Sequence, residues 1–181
     1  MLMGPKNTVM LVIDVQEKLT PGIHQSKKLI ENCEWLIKFA KLVGAPLLVT
    51  EQYPRGVGHT VEQLSQHLAG VPVAEKTVFS CVDAPECQAL DFVNKYENFI
   101  LSGMETHVCI MQTALQLVDL KKNVFVVVDA VSSRNPEDTQ YALQRMQQHG
   151  VVLVSKEMVG FEWLRDSKHP DFKEFSKNFL Q

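Results

Sequence analysis

Long hydrophobic runs are missing from this chain of 181 residues. No apolar stretch approaches the roughly 20 residues that a membrane-spanning helix needs, so no membrane partner is expected. An excess of basic charge is missing too. Against 21 acidic residues stand 18 basic ones, a formal charge of -3, and no broad positive field is available to hold a phosphate backbone. Nucleic acid is therefore not an expected partner. The four cysteines, Cys33, Cys81, Cys87 and Cys109, show neither CxxC spacing nor the density of a disulfide-stapled secreted domain, which predicts reduced thiols. Met1 to Asn7 carries neither a signal-peptide apolar region nor an Arg-rich transit pattern, and a cytoplasmic location follows as the expectation. Repeats, low-complexity tracts and linkers are also absent, so one domain over residues 1–181 is expected.

Short β-rich apolar runs alternate with longer segments of helical period, the pattern of βα units around a parallel sheet. Thr8-Val-Met-Leu-Val-Ile-Asp14 is apolar at successive positions and stops on a carboxylate, as a strand buried on both faces does at its carboxyl end. A helix is predicted from about Ile23 to Val43, then strands over 46–50 and near 74–77. A short helix near 61–68 lies between those two strands. Further strands are predicted at 98–103, 123–129 and 151–154, with helices starting near Asp83, after Gly103, over 136–149 and over 170–180. The expected fold class is α/β, a three-layer α/β/α sandwich with a central, mostly parallel six-stranded sheet of Rossmann-like type. In such a sheet ligands bind outside the carboxyl ends of the strands, where the strand order reverses. That rule selects the turn after Asp14 and the turn after Gly103, and brings Asp14 towards Cys109.

Cys109 falls in the first turn of the helix predicted after Gly103, where free amides and the helix dipole favour a thiolate. The amides of Glu105 and Cys109 are candidate donors to a developing oxyanion. Asp14, buried at the end of an apolar strand, suits the task of taking a thiol proton. Lys76 is placed to stabilise negative charge on either. Taken singly, each has a plainer description: a small core cysteine, a strand-end cap, a solvated lysine. Thr106 and Ser80 offer hydroxyls near the same mouth, Phe79 an apolar wall, and Gln16 a polar group beside Asp14. His107 lies inside the Cys109 turn, where a solvated loop histidine is its plainer reading. Cys33, Cys81 and Cys87 read as space-filling thiols.

Val12-Ile-Asp14-Val-Gln16, Glu75-Lys76-Thr-Val-Phe79-Ser80 and Gly103-Met-Glu-Thr106-His-Val-Cys109 occur in the order found in the isochorismatase-like hydrolases, and the chain resembles that family over nearly its whole length. The resemblance continues through Val128-Asp129-Ala-Val and Ser132-Ser-Arg134. It implies a catalytic triad of Asp14 as base, Lys76 as electrostatic partner and Cys109 as nucleophile. It also implies a non-proline cis peptide between Met104 and Glu105, and a homo-oligomer. Residues expected to contact substrate are Gln16, Tyr53, Phe79, Ser80, Met104, Glu105 and Thr106, with the pocket shaped by the turn near Tyr53, by Phe79 and by the helix after Gly160-Phe161. Metal-dependent members carry an Asp-x-His element and further histidines, where this chain has Glu51, Gln52 and a single His59. No metal and no cofactor are expected.

The function that follows is hydrolysis of a small amide or related acyl compound through a cysteine thioester. The rival is a catalytically silent protein of the same fold that acts through oligomeric or partner-binding surfaces. A nuclease would need a basic groove and usually a metal.

Overall fold

The computed structural model describes residues 2–180. Six strands form one parallel sheet: β1 (Thr8–Ile13), β2 (Leu47–Gln52), β3 (Val73–Lys76), β4 (Asn98–Met104), β5 (Asn123–Ser132) and β6 (Val152–Val154), in the order β3-β2-β1-β4-β5-β6. The order reverses between β1 and β4, which makes their carboxyl ends the switch point of a doubly wound sheet. Nine helices accompany the strands among the described residues: α1 (Ser26–Leu42), α2 (Pro54–Val57), α3 (Glu62–Ser65), α4 (Pro85–Ala89), α5 (Phe92–Lys95), α6 (Met111–Asp119), α7 (Pro136–Gln148), α8 (Lys156–Leu164) and α9 (Phe172–Phe179). None of the helices is long and apolar enough to cross a membrane.

The two faces of β1 explain the layers. Met10 and Val12 pack with α1, α8 and α9 through Leu36, Phe39, Val159, Trp163 and Phe175. Val9, Leu11 and Ile13 pack with the other layer, through Cys87, Phe92, Ala114, Leu117, Ala142 and Met146. Alternation sends successive side chains to opposite cores, so every residue of β1 is buried and the strand reads as one unbroken apolar run. On the first face an aromatic cluster carries the packing: Phe39 stacks on Trp163 at 5.7 Å, and Phe175 lies 5.1 Å from Phe39.

The sequence expectation of an α/β/α sandwich holds, with all six strands parallel. Three boundaries differ, each for a physical reason. The helix expected to follow Gly103 begins as a turn of π-helix, Thr106–Ile110, before it becomes α6; apolar spacing over five residues does not separate the two windings. Strand β5 runs on past Asp129, because its pairing with β4 jumps from Leu101 and Val126 to Gly103 and Val131, and this irregularity absorbs the polar residue. The Pro/Gly-rich excursion after Tyr53 closes into the short α2.

Gly103 sits where β4 presses against β1. Its φ is +112°, and a Cβ there would lie 2.1 Å from the carbonyl oxygen of Ile13. The close approach sets the spacing between the two site-bearing strand ends, and only glycine allows it. Gly103→Ala is expected to lower stability by about 3 kcal/mol or more, from backbone strain and overpacking together, and urea denaturation measures it. A loss under about 0.5 kcal/mol contradicts this account of the contact.

Candidate active site

Asp14 follows β1 with a left-handed φ of 56°, a conformation that aspartate tolerates better than most residues. Its amide donates to Thr50 O at 3.1 Å, and its side chain is 1% exposed. Thr50 Oγ1 donates to Asp14 Oδ1 at 2.7 Å. Lys76, at the end of β3, donates to Asp14 Oδ2 at 2.7 Å. The same ammonium reaches Gln52 Oε1 at 2.8 Å and Phe79 O at 3.0 Å, with Val78 O at 3.4 Å. Burial opposes the Lys76 charge, but Asp14, with Cys109 and Cys81, outweighs burial and holds the ammonium above its ordinary range.

Cys109 is the fourth residue of the π-turn and only 6% exposed. Burial raises its thiol far above the ordinary range, and the charge of Asp14 and a hydrogen bond to it act in the same direction against the opposing charge of Lys76. Both effects favour the thiol over the thiolate at the Cys109 sulfur, which lies beside Asp14. Against the expected pull of the helix amides toward a thiolate, desolvation and the neighbouring carboxylate act toward the thiol. The structure thus brings Asp14, Lys76 and Cys109 together at the switch point.

The residues expected around them divide. The Met104–Glu105 peptide is cis. The Met104 side chain is fully buried in the core shared with α1, so only its backbone faces the turn. Glu105 turns to Arg134, accepting from its backbone amide at 3.0 Å and its Nε at 3.1 Å. Thr106 is fully buried, and its hydroxyl has no hydrogen-bond partner. Ser80 Oγ accepts from the Val82 amide at 3.1 Å and serves its own turn. Tyr53 and Phe79 are 55% and 51% exposed and free to meet a ligand. Gln16 is wholly buried. Its amide nitrogen donates to Gln52 O and Gly58 O, and its oxygen accepts from the Gln52 amide. No donor is left for a substrate; Gln16 braces the 52–58 loop instead. Gly160 and Phe161 lie inside α8 and pack on Phe175.

Thr50 and Gln52 escaped the sequence reading. Both stand at the carboxyl end of β2, beside the end of β1 in parallel register, and a polar residue closing an apolar strand next to the switch point was the signal available.

The remaining titratable groups are occupied elsewhere. His107 is hydrogen-bonded to Ser133 Oγ at 2.9 Å. The neighbouring Cys87 thiol, with burial, pushes Cys81 up. Cys33 is raised to about 12 by burial. No group of three or more His, Cys, Asp or Glu side chains among the described residues is placed to hold a metal ion. Glu51 instead accepts from the Thr60 amide and hydroxyl at 2.6 and 2.8 Å and meets exposed His59 at 2.9 Å.

Burial opposes the charge of Glu51, but the Thr60 and His59 bonds outweigh it and hold the carboxyl below its ordinary range. Its stabilisation is therefore present above the unfolded value of about 4.3 and lost as pH falls through the lower folded value. Glu51→Gln is expected to be less stable than the native chain near neutrality, and the gap should close in acid. Urea midpoints of the two proteins over an acid series check this; a gap independent of pH contradicts it.

The comparisons with known proteins agree with this fold. The isochorismatase domain family matches residues 8–158. Isochorismatase domain-containing protein 2A of Mus musculus is 39% identical over 173 residues, covering 96% of this chain and 82% of its own. The structure of MAR1 ribonuclease from Caenorhabditis elegans superposes with a TM-score of 0.94 at 40% identity, covering 100% of this chain and 93% of the other. The YcaC gene product of Escherichia coli, described as an octameric hydrolase of unknown specificity, shares the fold at a TM-score of 0.87 and 22% identity, covering 99% and 96%. The chain belongs to the isochorismatase domain family.

Proposed function

We propose that this protein is a cysteine hydrolase of a small amide or related acyl compound. The observation that supports it best is the buried Asp14 carboxylate, bonded to the Lys76 ammonium at 2.7 Å, with the Cys109 thiol beside it. A neutral thiol beside a carboxylate is a poised nucleophile and base. As sulfur attacks the carbonyl carbon, the S–H proton passes to Asp14 and the carbonyl π electrons move to oxygen. The amides of Glu105 and Cys109, in the turn after the cis peptide, are the donors that meet that oxyanion. Collapse breaks the bond to the amine, which leaves with the proton from Asp14. Water then attacks the thioester, giving one proton to Asp14 and its hydroxyl to the acyl carbon, and the proton returns to the Cys109 sulfur as the acid departs. Lys76 keeps its charge throughout and steadies the anion on either partner. Tyr53 and Phe79 flank the acyl group.

The name of the Caenorhabditis elegans relative carries a second reading, cleavage of RNA. Lys76, whose ammonium is already bonded to Asp14, Gln52 and Phe79, has no proton to spare for a phosphate, and the formal charge of -3 opposes a polyanion. The acyl reading is therefore the better supported.

On a panel of small amides and a structured RNA, turnover of at least one amide is expected. Cys109→Ala should abolish it, and Asp14→Asn should lower it by about 10²–10⁴-fold. RNA cleavage lost in Cys109→Ala, with every amide inert, would establish the nuclease reading instead.

A further inference from the structure

The carboxyl end of β2 contributes two side chains to the site from one face of the strand, since residues two apart point the same way. Gln52 accepts from Lys76 at 2.8 Å. Thr50 donates to Asp14 at 2.7 Å. Thr50 is wholly buried, so it touches no substrate and acts only through Asp14. Building on the reading of Asp14 as the base, we infer that Thr50 is a positioning residue whose hydrogen bond favours the carboxylate form of Asp14 that accepts the Cys109 proton.

The geometry assigns each Asp14 oxygen a separate donor, Thr50 on Oδ1 and Lys76 on Oδ2. A hydrogen bond to the charged form of a carboxylate favours that form. A threonine hydroxyl also accepts, so it can turn to receive a bond when Asp14 carries the proton. Valine fills the same space with neither capacity, and serine keeps both. The other titratable groups within the field of Asp14 are Lys76, Cys109, Cys81 and Cys87. Of these, Lys76 bonds to it directly, and Cys109 lies beside it.

The test is the pH profile of Cys109 alkylation by iodoacetamide, with the labelled peptide located by mass spectrometry, in the native chain and in Thr50→Val, Thr50→Ser and Asp14→Asn. The assay needs no substrate. In the native chain the rate should climb through an acid limb to a plateau, on which the thiol gives its proton to Asp14 as sulfur attacks. Thr50→Val should move the limb up by about one to two pH units, the worth of a hydrogen bond to a charged group. Its plateau should be no lower than native, because a carboxylate short of one donor takes a proton more readily. Thr50→Ser should restore the native limb. If Thr50→Val fails to unfold cooperatively, Thr50→Ala carries the same comparison.

A lowered plateau with an unmoved limb would mean that Thr50 only packs the site, and would overturn the inference. An unmoved limb and plateau in Thr50→Val would overturn it as well, while Asp14→Asn, replacing the plateau by a single thiol titration, would leave the base assignment standing. A native profile in Asp14→Asn would overturn the base assignment itself, and the inference with it.

Discussion

The ion pair between Lys76 and Asp14 is the constraint on which the rest of the site depends. Both side chains are essentially removed from water, and burying two charges costs more than their attraction returns unless their remaining bonds are filled. Here they are. Lys76 satisfies Gln52, Phe79 and Val78 beside Asp14, and Asp14 accepts from Thr50. The pair spans the sheet from the edge strand β3 across β2 to the end of β1. Adjacent strands lie about 4.8 Å apart, so the reach is about two strand spacings, which suits the long flexible stem and compact charge of lysine. The bond fixes the Phe79 turn, the end of β2 and the carboxylate in one frame, and Gln16 ties the 52–58 loop to it.

The chemistry of Cys109 follows from that frame. In the proposed reaction, when Asp14 takes the thiol proton, the Lys76 cation remains to balance the negative charge that passes to the acyl oxygen. Burial beside Asp14 favours the thiol over the more reactive thiolate. In the proposed reaction, nucleophile and base are activated together by an approaching carbonyl. Gly103 permits the approach of β4 to β1 that puts the two halves in contact.

What was legible in the sequence follows from what each signal measures. Asp14 and Cys109 stand just beyond strands whose apolar runs are unmistakable, and the strand-order rule places those two ends side by side. Lys76 lies on a four-residue edge strand with alternating exposure, where an exposed lysine would look the same in the sequence. Only the resemblance singled it out. Thr50 is β-branched and looks like an ordinary strand residue, so its bond to Asp14 became visible only once the register of β1 against β2 was known. Gln16 sits next to the site in sequence, yet both ends of its amide are spent on loop backbone. Met104 likewise gives its backbone to the turn and its side chain to the core. Proximity along the chain cannot distinguish a residue that faces the ligand from one that holds the wall.

The central claim is that Cys109 forms an acyl bond with Asp14 as its proton partner. Intact-mass analysis after rapid acid quench, during turnover of an activated acyl compound such as a nitrophenyl ester, measures it most directly. A hydroxylamine-sensitive adduct located on the Cys109 peptide, which persists longer in Asp14→Asn because the water step loses its base, is the result this account predicts. Turnover without any adduct on Cys109, or an adduct on Cys81 or Cys87 instead, would contradict it.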